Sequence, residues 1–174
     1  MSRIILIPGN GNDCVEVSMW YPSVIEALTE AKDLRTGQHL FPGGGVLRTF
    51  PDPYDAHEEV WIKFMEEDIE IGENDVVIGH SSGAAAIMRY IETRKVKGVV
   101  LVSAYHSDLG DASELTRSNA NASPSDHLVP IEEQREVASK IVGVEYRELP
   151  NRGHFIRDHQ FPELVDNVVQ RMIL

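Results

Sequence analysis

A single cysteine, Cys14, in 174 residues leaves no partner for an internal disulfide, and its solitude points to a reducing cytosolic or nuclear setting. We read it as a small, partly buried side chain and not as a thiol nucleophile. Long apolar runs are missing too. The first one, Ile4–Ile7, is broken at once by Pro8 and Gly9. That is too short for the core of a signal peptide, and no stretch reaches the roughly 20 residues of a membrane span. Blocks of lysine and arginine are also absent: 16 basic against 28 acidic side chains give a net charge of −12. Such a surface repels phosphate backbones and anionic headgroups, so the expected partners include neither nucleic acid nor membrane. No His-x-x-x-His or Cys/His pairing suggests a metal site. The glycines at 9 and 11 do not complete a dinucleotide fingerprint, because Cys14 stands where its third glycine belongs.

What is present is an alternation of strand-length apolar runs with helix-period segments, the rhythm of an α/β protein, in a length suited to one domain over residues 1–174. Strands are expected at 4–7, more weakly at 46–50, at 76–78, at 99–102 as a central parallel strand, and at 144–149. Helices are expected over 21–32, after Asp52 as an N-cap with Pro53 in the first turn, from 84 onward, over 130–141, and from about 162 to the end. Two stretches break the rhythm. Residues 35–47, with three successive glycines, read as a mobile loop, and residues 106–124 contain nothing that reads as a buried strand.

The chemistry concentrates at "DVVIGHSSGAAA", residues 75–86. A strand runs into Gly79-His80-Ser81-Ser82-Gly83 and then into small helix formers, the context in which Gly-x-Ser-x-Gly presents a nucleophilic serine on a tight strand-to-helix turn. A serine hydroxyl needs a base to take its proton and a third group to orient that base. His154, in "NRGHF" beyond the last expected strand, can hang over the same sheet edge as Ser81. His80 should point away from Ser81, and His39 and His57 read as solvated side chains. His106, His127 and His159 are not excluded by position. For the acid, Asp126 lies in a loop ahead of a helix, where a capping role is the plainer reading, and Asp108 and Asp111 also fall between Ser81 and His154. Oxyanion donors are expected in the N–H of Ser82 at the helix start and of Asn10 in "PGNGND", a stretch that reads equally well as a strand-ending turn.

Seven segments together, "PGNG" at 8–11, "FPDP" at 50–53, "IGHSSGA" at 78–84, "MRYIET" at 88–93, "VLVSAYHSDLGD" at 100–111, "EQREVA" at 133–138 and "GHF" at 153–155, closely resemble the retinoblastoma-binding protein 9-like serine hydrolases of the α/β-hydrolase superfamily. The resemblance implies a three-layer α/β-hydrolase-like fold with a mostly parallel central sheet and no large lid. It also implies a Ser81, Asp126, His154 triad and hydrolysis of small carboxylesters or amides without a cofactor. Relatives carry a Trp-rich helical segment and a buried strand before the acid, so this chain reads as a shortened form missing one β-α unit between residues 106 and 125. From that departure follows a second reading, a catalytically impaired hydrolase-fold binding protein or truncated variant whose Asp126 fails to reach His154. The Leu-x-Cys-x-Glu used for binding the retinoblastoma protein is replaced by Ile69–Glu73, "IEIGE", so that interaction is not carried over.

Overall fold

The computed structural model describes residues 1–105 and 118–173. Strands β1 (Ile4–Ile7), β2 (Gly45–Leu47), β3 (Val76–His80), β4 (Gly98–Val102), β5 (Ser118–Ala122) and β6 (Glu145–Glu148) form one sheet in the order β2-β1-β3-β4-β5-β6. Every neighbouring pair is parallel. β1 and β3 are buried throughout because the sheet is covered on both sides. Alternate residues therefore feed two cores. Ile5, Ile7, Val77, Val99 and Leu101 point to one, and Ile4, Leu6, Val76, Ile78, Val100 and Val102 to the other.

Among the described residues five α-helices fill those layers: α1 (Tyr21–Glu30), α2 (Glu58–Glu67), α3 (Ser82–Ile91), α4 (Ile131–Lys140) and α5 (Pro162–Ile173). α1 begins with Pro22 in its first turn and buries Tyr21, Val24 and Leu28, spaced to share one face. With α5, which turns in Leu164 and Val168, it covers one side of the sheet. Trp61 and Met65 of α2, Ala84, Ile87 and Met88 of α3, and Val137 and Ala138 of α4 pack on the other. This is the three-layer α/β-hydrolase-like arrangement expected from the sequence.

Four expectations are corrected. The first is the most consequential: Ser118–Ala122, "SNANA", lies within the stretch expected to hold no strand, yet forms β5 between β4 and β6. Ladder bonds from two neighbours satisfy its backbone, and the small Ala120 fits the core beside α4, so the strand forms without the apolar side chains that mark one in a sequence. A strand is thus present in the interval from 106 to 125. The rest of that interval before β5, residues 106–117, lies outside the described residues, and with it the remainder of the expectation that a β-α unit is missing. Second, residues 35–47 are tied down: His39 bridges Lys32, Phe41 is buried, and Gly45–Leu47 pairs with β1. Third, α2 starts at Glu58, not after Asp52, because Asp52 has φ +49° and spends its carboxylate on the N–H and ring of His57. Fourth, Cys14 is exposed, its neighbour Val15 taking the buried place.

Candidate active site

Ser81 stands between β3 and α3 with φ +53° and ψ −118°, a backbone that side chains rarely adopt. The flanking glycines make that turn possible. A Cβ on Gly79 would sit 2.7 Å from Ala84 Cα and Gly83 O, and one on Gly83 would sit 2.4 Å from the carbonyl oxygens of Ile7 and Pro8. The Ser81 N–H donates to Val102 O of β4 at 2.9 Å, which fixes the turn to the sheet.

The loops after β3, β5 and β6 deliver the three expected side chains to one sheet edge. Ser81 Oγ lies 2.9 Å from His154 Nε2, and His154 Nδ1 lies 2.9 Å and 3.0 Å from the two carboxylate oxygens of Asp126. Ser81 and His154 are both buried. Asp126 can only accept, so His154 Nδ1 donates and Nε2 is left to accept the Ser81 proton. Burial alone would raise the Asp126 carboxyl, but the bonds from His154, the amides of Val129 and Leu128, and the Ser103 hydroxyl outweigh it and hold the group at about 2. Gln134 Nε2 adds a further bond at 3.2 Å. The Gly153 N–H also donates to Ser125 Oγ at 3.0 Å, joining the acid loop to the histidine loop.

Where oxyanion donors were expected, Ser82 opens α3, and its N–H is one of the amides that a helix start leaves without an intrahelical partner. The Asn10 side chain crosses to α3: its Oδ1 accepts from Ser82 Oγ at 2.9 Å, while Nδ2 donates to Tyr54 O at 3.1 Å. Beside them opens a cavity of about 300 Å³ whose lining includes Asn10, Ser82, Trp61, Ala85, Arg89 and Tyr105.

The sequence matches the family model described as serine hydrolase over residues 46–170. It is 36% identical, over 191 aligned positions, to serine hydrolase RBBP9 of Rattus norvegicus, covering 99% of this chain and 96% of that one. The chain belongs to the serine hydrolase family. Solved structures agree on the fold. The ydeN gene product of B. subtilis superposes with a TM-score of 0.77 at 19% identity, covering 98% of each chain. Est1E of Butyrivibrio proteoclasticus, solved with ferulic acid, gives 0.68 at 13% identity over 99% of this chain and 87% of that one. The alignment with the rat serine hydrolase has more positions than this chain has residues, so that relative carries residues this one lacks.

Within this serine hydrolase fold the other candidates lie elsewhere. His39, His57, His127 and His159 are exposed, and His106, Asp108 and Asp111 fall outside the described residues. His80 turns away from Ser81 as expected, its ring bonded to Tyr21 Oη and His154 O. Sequence reasoning missed Ser103 and Gln134, both on Asp126 Oδ2. Ser103 follows β4 at the same sheet edge, a placement that could have flagged it; a glutamine in the first turn of α4 carries no such signal.

Proposed function

We propose that this serine hydrolase cleaves small carboxylesters or amides through a Ser81–His154–Asp126 triad. Ser81 Oγ attacks the carbonyl carbon while its proton passes to His154 Nε2. The resulting imidazolium is stabilised by Asp126, already ionised and aimed at Nδ1. The N–H groups of Ser82 and Asn10 receive the charge that develops on the carbonyl oxygen. Collapse of the tetrahedral species expels the leaving group with the proton from His154 and leaves an acyl ester on Ser81. Water, deprotonated by the same imidazole, then releases the acid.

The observation that carries this reading is the continuous contact from Ser81 Oγ to His154 Nε2 and from His154 Nδ1 to Asp126. It also supports an active enzyme over a hydrolase fold without chemistry, since the doubt behind that rival was whether Asp126 reaches His154. Reaction with a fluorophosphonate probe tests it: wild type should label and turn over p-nitrophenyl acetate, and Ser81→Ala should do neither. Folded wild-type protein that never labels would return the reading to a binding module. Partners in this reading are small ester or amide molecules. No described helix is long and apolar enough to cross a membrane, and Ile69 and Ile71, within the segment that replaces the retinoblastoma-binding motif, are buried.

A further inference from the structure

Two buried polar side chains take no part in the proposed reaction yet connect both halves of its machinery. Tyr21 is fully buried at the start of α1, and His80 is 1% exposed at the end of β3. His80 Nε2 lies 2.9 Å from the carbonyl oxygen of His154. A carbonyl only accepts, so Nε2 carries the proton and Nδ1 is left to accept from the Tyr21 hydroxyl, 2.7 Å away. The Tyr21 oxygen in turn accepts the N–H of Gly9 at 3.1 Å. One chain of hydrogen bonds thus runs from the loop before Asn10 to the backbone of His154.

The contacts around it are equally close. A Cβ on Gly9 would come within 3.3 Å of both His80 Nδ1 and Ser81 Cβ, so the loop is pressed against the elbow. Trp20, edge-on to His80, donates its Nε1–H to Phe155 O at 2.9 Å, and Phe155 has φ +57°. Two successive carbonyls of the histidine loop are therefore held by side chains from the residue that precedes α1 and from the end of β3. Burial, with the neighbouring His154 imidazole pushing the same way, lowers His80 to about 3, so the ring is neutral and keeps this tautomer near neutral pH.

We infer that Tyr21 and His80 are positioning residues of this active site, fixing the Gly9–Asn10 backbone and the His154 main chain relative to Ser81. The inference rests on the proposed triad. A loose shell costs rate more than binding: a displacement of about 1 Å at reacting atoms lowers turnover on the order of 100-fold.

The test uses p-nitrophenyl acetate turnover and fluorophosphonate labelling, with folding followed by circular dichroism. Wild type and Ser81→Ala come first. An unlabelled wild type fails the triad reading and this inference with it; a labelled wild type isolates the inference. Tyr21→Phe, which removes one hydroxyl, and His80→Phe, which keeps the shape without either bond, should then lower kcat about 10- to 100-fold with KM within about twofold. His80→Gln, whose amide can still donate to His154 O, should recover most of the loss. A purely structural pair would instead lower the melting temperature and leave kcat of the folded protein within about twofold of wild type, which overturns the inference. Should His80→Phe not fold, Tyr21→Phe decides by the same criterion.

Discussion

Ser81 holds a left-handed backbone that costs on the order of 1–3 kcal/mol and persists because its surroundings permit no other. Gly83 is where that surrounding is tightest. In Gly83→Ala the new methyl would lie 2.4 Å from two backbone oxygens, and backbone cannot rotate aside as a side chain can. Urea unfolding should show a loss of about 1–3 kcal/mol or more, with weaker probe labelling at equal folded concentration; a variant within about 0.5 kcal/mol of wild type would mean that α3 is free to shift. A second prediction at this scale concerns protons. The His80 ring titrates near 6.5 when unfolded and at about 3 when folded. Between those values the unfolded chain binds a proton that the native one lacks, so stability falls as the pH drops through that window, by up to about 1.4 kcal/mol per unit. Asp126, lowered from 3.8 to about 2, adds its own loss only below that higher value. Unfolding free energies from pH 7 to 4 should therefore slope less steeply in His80→Gln, and an unchanged slope would assign the acid limb to other groups. The tight turn at Ser81, the proposed nucleophile, was legible because Gly-x-Ser-x-Gly is a local geometric demand. The work of His80 was not, since its partners lie 59 and 74 residues away in sequence.

Elements show the same division between local and distant causes. β1, β3 and β4 could be read from runs of aliphatics, because strands covered on both faces need apolar side chains at every position. β5 could not, because asparagine and alanine have little strand preference and its stability comes from lying between two other strands. Yet β5 leads into the acid loop: the Asp126 N–H donates to Ser123 O just beyond it, and Ser103 N–H donates to Asn121 O across the ladder. The strand that leads to Asp126, the proposed acid, is thus the one the sequence hid. Asn121 offers a way to measure that hidden support. It is buried, and neither polar atom of its side chain has a partner among the described residues. Asn121→Val should therefore stabilise the protein, by about 1 kcal/mol or more, by removing desolvated amide atoms and raising strand preference. A lower melting temperature would instead reveal a partner for that amide and make β5 a strand held by its polar side chain.

At the scale of the whole molecule, one sheet carries both cores, and each core draws on strands from across its width. The proposed site is built the same way: Ser81 follows β3, Asp126 follows β5, and His154 follows β6, so its geometry depends on three strands and the layers covering them. Neither core can separate from the other without exposing one face of that sheet. Residues 1–174 should therefore unfold as a single cooperative unit, with the calorimetric enthalpy equal to the van't Hoff enthalpy. Reactivity of Ser81 should disappear in the same transition. Labelling by a fluorophosphonate across a urea series ought to follow the far-ultraviolet circular dichroism curve, with coincident midpoints. Labelling that vanishes well before the helices melt would place the loops after β5 and β6 in a weaker unit than the sheet, and the site would then depend on local order more than on the fold that frames it.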